Sequence, residues 1–138
     1  MLGQFHDGFF NGLLIDEESA YLFICTLKGE RFAIRAMGLV ALLADDIKAG
    51  NIILEVAISA ACEIDREAVR EVHGFPQSPQ GDKWADEALL QAKSAELSLL
   101  VINPTYGGSC LALAKKFALV PEVEVITRLF QASIDPRG

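Results

Sequence analysis

The sequence is poor in the residues that most metal and catalytic sites use. It contains two widely separated histidines, His6 and His73, and three scattered cysteines, Cys25, Cys62 and Cys110. A zinc site needs three or four such ligands at close spacing, and a disulfide framework needs paired cysteines. We therefore expect no metal, no cofactor and no disulfide framework. Each cysteine lies among apolar residues, which is typical of a reduced core thiol in a cytoplasmic protein.

Positive charge is also scarce. The chain has 12 Lys and Arg against 19 Asp and Glu, a formal net charge of −7. Nucleic-acid binding depends on clustered basic side chains. The nearest approach to such a cluster is Lys115-Lys116 with the scattered Arg66 and Arg70, which are too few to bind a nucleic acid. No apolar run reaches the ~18 residues of a membrane span, and the first residues lack the pattern of a signal peptide. We expect a cytoplasmic protein that binds neither nucleic acid nor a membrane.

The composition indicates one globular α+β domain over residues 1–138, because 51% of the residues are hydrophobic and 22% are charged. Apolar, β-branched segments separated by short polar turns predict a meander of strands. The second of them is apolar on both faces, which predicts a central strand covered by a helix on one side and by a second sheet layer or a partner subunit on the other. The predicted strands are 9–15, 20–27, 31–37, 51–59, 97–102 and 122–130, with a link over 38–46 and a loose tail over 135–138. The third strand alternates apolar and polar residues, which predicts that one of its faces is wet.

Two helices are predicted. Asp65 is a good N-cap for the first, which Gly74 and Pro76 end. The second is predicted over 83–93, after a loop over 75–81. Residues 103–108 are predicted as a turn, and 109–120 fits either a helix or, more readily, the second strand of a hairpin around that turn. The expected fold is a mainly antiparallel curved sheet of about six or seven strands with two helices.

Four polar residues are candidates for a binding site. His6 and Asp7 are adjacent, an arrangement that suits acid–base chemistry and that also arises where turn residues bond to the backbone. Tyr106 lies in the segment 103–109, whose glycines serve either an anion or a tight hairpin. If the first strand and the late hairpin are neighbours, His6, Asp7, Asn11 and Tyr106 meet at one end of the sheet.

The other polar residues have simpler interpretations. We expect His73 to act as a cation favoured by the dipole at a helix C-terminus. Ser109 and Cys110 lack the sequence context of a catalytic nucleophile, and no catalytic residue is predicted. The remaining acidic turn residues are expected to form a solvated rim: Asp45, Asp46, Glu17 and Glu18.

Three short segments occur in an order that resembles small bacterial proteins of immunity-protein-like families, which have an N-terminal His-Asp motif and a late Ser-Tyr-Gly motif. The segments are 5–12 (FHDGFFNG), 50–56 (GNIILEV) and 104–108 (PTYGG), with Thr105 where serine is expected. The resemblance spans most of the chain and implies a curved antiparallel sheet with one or two helices. It also implies the neutralisation of a toxin by binding, without catalytic residues.

Two functions from different classes follow. The first is a non-enzymatic binding protein with a protein partner, of the kind that an immunity-type inhibitor represents. The alternative is a small-ligand-binding protein or weak enzyme that uses His6, Asp7, Asn11 and Tyr106. The apolar second strand further predicts a homodimer.

Overall fold

The computed structural model describes residues 2–134, in which six antiparallel strands form a closed barrel. The strands are β1 (Phe9–Asp16), β2 (Ser19–Cys25), β3 (Arg31–Asp45), β4 (Asn51–Ser59), β5 (Ser98–Tyr106) and β6 (Ser109–Pro121), and the helices are α1 (Arg66–His73), α2 (Pro79–Ser94) and α3 (Glu122–Ile134). Around the barrel the strands follow the order β1-β2-β3-β6-β5-β4, and a short pairing of β1 with β4 closes it. Two 3-10 turns, Gly3–Phe5 and Ala61–Glu63, precede β1 and follow β4.

The main hydrophobic core fills the barrel. Side chains that alternate along each strand point inward, as the twofold period of a strand requires. Phe5, from the turn before β1, is fully buried at one end and meets Phe32 edge to face, with 5.6 Å between the ring centroids. The largest buried side chains of this core are Phe5, Phe10, Leu22, Ile24, Ile34, Ile53, Leu100 and Ile102.

The helices cover the outside of the barrel in two places. Helix α1 packs on β5 and β6 in a second core that includes Val69, Leu99 and Leu113. Helix α3 covers β2 and β3, where Val125 packs on Tyr21 and Ala33. The second strand is therefore covered on both faces, as its sequence predicts: the barrel interior lies on one side and α3 on the other.

The predicted punctuation of the first helix is confirmed. The Asp65 side chain accepts a hydrogen bond of 2.8 Å from the Ala68 amide, and Gly74 ends the helix with a φ of 73°. Arg70 ties α1 to α2, because its buried guanidinium binds Glu67 on its own helix and Asp82 on the next, and donates to the Pro76 carbonyl at 2.9 Å.

The link predicted over 38–46 is wrong, since β3 continues to Asp45. Gly38 has a φ of +66°, and the pairing register with β6 shifts between Leu39 and Ala41. A bulge of this kind lets a strand continue past an irregular residue while its twist increases. Pairing with β6 thus overrides the weak strand propensity of this segment. The outer face of β3 is also less wet than expected, because Ala33 is buried under α3.

The last strand, predicted over 122–130, is also wrong. After Pro121 the chain turns into α3, whose first turn carries Glu122 and Glu124, favoured by the helix dipole. Val125 and Leu129, four residues apart, both pack against the sheet. Residues 2–134 therefore contain three α-helices instead of the expected two, and the α+β class and the expected six or seven strands are confirmed.

Smaller boundaries also differ. The second helix begins at Pro79 instead of 83, because Ser78 caps it and proline suits the first helical position. Strand β5 continues to Tyr106, so the turn predicted over 103–108 shrinks to its glycines. Residues 109–120, which fit either helix or strand, form β6. The tail predicted over 135–138 lies outside the described residues.

Candidate functional site

His6 and Asp7 fasten the chain to β4 just before β1 begins. The His6 Nδ1 atom lies 2.8 Å from the Leu54 carbonyl oxygen, and the Asp7 amide donates to the Ile53 carbonyl at 2.9 Å. Because a carbonyl only accepts, Nδ1 carries the proton in this contact. The Asp7 carboxylate is 3.6 Å from His6 Nε2, and both side chains are more than half exposed. The structure thus contains the hydrogen bonds to the backbone that one interpretation of this pair predicts.

Asn51 stabilises the same end of the barrel, and no pattern in the sequence singles this residue out. Its side chain is buried; Oδ1 accepts from the amides of Lys48 and Gly108 at 2.8 and 2.7 Å, and Nδ2 donates to the Phe10 carbonyl at 3.0 Å. The neighbouring Gly107 has a φ of +81°, and a Cβ there would lie 2.5 Å from Asn51 Oδ1. One amide side chain therefore joins β1, β4 and the β5–β6 turn.

Asn11 and Tyr106 lie near this end as well. Asn11 is exposed on β1 where the register with β2 shifts, and Tyr106 is 54% exposed opposite Ile52 of β4. The four predicted residues thus lie around the first residues of β4. This strand separates β1 from β5, so the first strand and the late hairpin flank β4 and are not direct neighbours. The four residues do not line a common cavity among the clefts of the described residues. His6 makes its polar contacts with β4 and with Asp7.

An apolar cleft of about 400 Å³ opens at the end of the barrel beside the Gly3–Phe5 turn. Its size falls within the range of ligand-binding pockets. Ile58 and Leu119 on its rim are 45% and 38% exposed. All eight lining residues are apolar, and they come from the first residues of the chain, β3, β4 and β6: Leu2, Ile34, Val56, Ala57, Ile58, Phe117, Ala118 and Leu119.

Two strand edges without a neighbouring strand border this cleft. Residues 55–59 of β4 pair with β5, and in the described part of the chain no backbone hydrogen bond reaches their other side. The same holds for residues 115–121 of β6, which pair with β3 beyond the point where the pairing with β5 ends at Ala114. Each edge has backbone N–H and C=O groups without a strand partner, although the Gly3–Phe5 turn also contacts β4. An edge of this kind can accept an additional strand.

An aromatic cleft lies between α1 and α2. The His73 ring stacks on Phe75 with 4.9 Å between centroids, and Phe75 meets the half-exposed Trp84 at 5.9 Å. Burial lowers the pKa of His73. A lowered pKa favours the neutral ring, so it does not support the expected cationic role at the helix C-terminus.

The three cysteines are free, and they differ in exposure. Cys25 and Cys110 are buried, as expected of core thiols, whereas Cys62 is exposed, so the core interpretation is wrong for that residue. Burial raises the pKa of Cys110 to about 12. Its thiol is protonated at neutral pH and is not an activated nucleophile.

Within residues 2–134, no group of three or more His, Cys, Asp or Glu side chains is arranged to hold a metal ion. None of the helices in this part of the chain has both the length and the apolar character needed to span a membrane. No protein-family model matches the chain, and no curated protein or solved structure matches it significantly. The resemblance to immunity-protein-like families therefore stays a prediction.

Proposed function

We propose that this protein is a non-enzymatic binding protein and that its partner is a protein segment that adds to the barrel as an extended strand. The observation that supports this most strongly is the apolar cleft bordered by two open strand edges. Strand addition uses the backbone for affinity and pockets beside the edge for specificity. Both components are present at this end of the barrel.

The backbone component comes from β4 and β6. Residues 55–59 and 115–121 each have one edge free of other strands in the described chain. An incoming strand along either edge would exchange hydrogen bonds to water for regular main-chain hydrogen bonds. Such an exchange contributes about 1 kcal/mol for each bond. A segment of five residues can therefore bind with useful affinity once its side chains also find a pocket.

The side-chain component comes from the cleft. Alternate residues of an added strand point to the same face, so one or two apolar side chains of the partner can enter between Ile58 and Leu119. Both rim residues would lose the rest of their exposed surface. The burial of half an isoleucine or leucine side chain contributes on the order of 1 kcal/mol. The partner segment should therefore be apolar at alternate positions.

The immunity-type role is a finer form of the same proposal. A toxin neutralised by binding is a protein partner, and the net charge of −7 favours a basic one. We place the protein in the cytoplasm, which suits its three free thiols. The alternative small-ligand site at His6, Asp7, Asn11 and Tyr106 has less support, because these residues border no common cavity among those described here.

Site-specific photo-crosslinking in the producing cells tests the proposal. A benzophenone side chain would replace Ile58 or Leu119 at the cleft, and Leu90 as a matched control, since Leu90 is 71% exposed and lies on α2, which does not line the cleft. We expect a discrete crosslinked protein from the two cleft positions and none from position 90. Purified partner should then bind the Ile58→Glu variant at least ~10-fold more weakly and Leu90→Glu normally.

Three outcomes would overturn the proposal. Equal crosslinking at position 90 would show that the capture does not depend on the cleft. Crosslinking to a second copy of this chain would assign the cleft to self-association. Unchanged affinity of Ile58→Glu (with a circular dichroism spectrum like that of the unaltered protein) would place the partner elsewhere.

A further inference from the structure

A polar cleft of about 630 Å³ lies on the outside of the barrel, on a different face from the apolar cleft. Three parts of the fold form it: the tip of the β1–β2 hairpin, the outer face of β2 and β3, and one side of α3. Its residues are Asp16, Glu17, Glu18, Ser19, Tyr21, Arg35 and Arg128.

Arg35 contributes to this cleft a side chain with a buried nitrogen atom that lacks a hydrogen-bond partner. It lies opposite Tyr21 in the pairing of β2 with β3, and its guanidinium carbon is 6.0 Å from the centre of the Tyr21 ring. Its Nε atom is buried and has no hydrogen-bond partner, the one such side-chain atom found within residues 2–134. A buried N–H of a charged group is unfavourable without an acceptor. Arg35 therefore has hydrogen-bonding capacity that no group of the described residues satisfies.

A second guanidinium lines the same cleft. Arg128 lies on α3, between Val125 and Leu129, which both pack against the sheet. Neither Arg35 nor Arg128 forms an ion pair with a carboxylate of the described residues. The arginines outside this cleft that the structure describes all form such pairs: Arg31 with Glu122, Arg66 with Asp86, and Arg70 with Glu67 and Asp82.

We propose that this cleft binds a small carboxylate ligand through Arg35 and Arg128. Two guanidinium groups at one cleft supply the planar paired donors that match a carboxylate. The hairpin residues Asp16, Glu17 and Glu18 line the same cleft, and their negative charge opposes a dianion such as phosphate more strongly than a monoanion. A ligand that also carries an ammonium group gains from the same carboxylates. The preferred class is thus a small amino acid or a similar zwitterion.

Solution NMR of the full chain tests this site directly. The Nε–H group of an arginine gives its own ¹H–¹⁵N signal, so the signal of Arg35 reports on ligand binding at this side chain. The probes are glycine as zwitterion, acetate as simple carboxylate and inorganic phosphate as dianion, each titrated at constant ionic strength. We expect a saturable shift of the Arg35 signal with glycine and acetate, with glycine binding more tightly, and a weaker response to phosphate.

Matched variants assign the effect to the two arginines. Arg35→Gln and Arg128→Gln should each weaken glycine binding ~10-fold or more, because each removes a charge-assisted donor. Arg66→Gln is the control, because Arg66 carries the same charge and pairs with Asp86. Glycine binding should be unchanged in this variant. Dispersed backbone spectra of the variants control for folding.

Each other outcome contradicts the assignment. The absence of a saturable shift with either carboxylate up to about 50 mM, roughly the weak limit of specific binding, would remove the site. Phosphate binding more tightly than acetate would assign the cleft to a different anion. Glycine binding that survives both Arg35→Gln and Arg128→Gln would place the ligand elsewhere. None of these results bears on strand addition at the apolar cleft.

Discussion

At the scale of single residues, the end of the barrel around His6, Asp7 and Asn51 depends on a side chain that no pattern in the sequence singles out. His6, Asp7 and Tyr106 stand out because of their types and neighbours, and they lie near the start of β4. Asn51 does more there, since it joins three segments that are distant in the chain. Its importance comes from burial, and burial of a polar residue cannot be read from one sequence position.

Substitution of Asn51 should therefore be costly. Asn51→Ala leaves the Gly108 amide and the Phe10 carbonyl buried without partners, which should lower the free energy of unfolding by about 2–4 kcal/mol. Asn103→Ala is the control, because Asn103 is exposed on the neighbouring strand and its loss should cost less than about 0.5 kcal/mol. Urea denaturation measures both, and equal effects would contradict the role of Asn51.

His73 should make stability depend on pH. Its pKa in the folded state is lowered by burial, so the unfolded chain binds the proton more readily. The stability that the neutral ring contributes is complete above the unfolded pKa of about 6.5 and is lost as the pH falls through the lower folded value. Comparison of thermal unfolding of the unaltered protein and His73→Gln across pH 7.5 to 5 should show a smaller decline in the variant. Parallel curves would show that His73 does not contribute.

At the scale of elements, α3 shows why a local pattern can mislead. The alternation of Val123 and Val125 with Glu122 and Glu124 is typical of a strand. In the structure Val123 is 67% exposed, while Val125 and Leu129 face the sheet at helical spacing. Both periods fit so short a segment, and the barrel, already closed by its six strands, decides between them. The polar cleft could not be predicted for the same reason, since one of its walls is α3.

The packing of α3 gives a paired prediction. Val125→Ala should lower the free energy of unfolding by about 1–2 kcal/mol, because it removes two buried methyl groups from the contact with Tyr21 and Ala33. Val123→Ala changes an exposed position of the same helix and should stay within about 0.5 kcal/mol. Hydrogen exchange of the α3 amides should accelerate in the first variant alone, and the reverse order of effects would contradict the placement of the helix.

At the scale of the whole molecule, the sequence predicts the strands better than their closure. Alternation and turn residues indicate the number of strands and the α+β class, and both are confirmed. Closure depends on the pairing of β1 with β4 and on the stagger of the long β3–β6 pair, which no local signal encodes. The apolar cleft follows from that stagger, because β4 and β6 each extend past their neighbours.

The same geometry changes the basis of the expected homodimer. That prediction rested on the two apolar faces of the second strand, and α3 of the same chain covers the outer one at Tyr21. The homodimer stays a prediction without that support. The strand addition proposed above uses a different surface, the apolar cleft bordered by β4 and β6.

Hydrogen exchange of the chain with and without its purified partner tests the central claim of strand addition most directly. Strand addition predicts slower exchange of backbone amides within residues 55–59 or 115–121, where the open edges lie. Amides on the exposed face of α2 should exchange at unchanged rates. Protection confined to the segments around His6 and Tyr106, with both edges exchanging as in the free protein, would contradict the account.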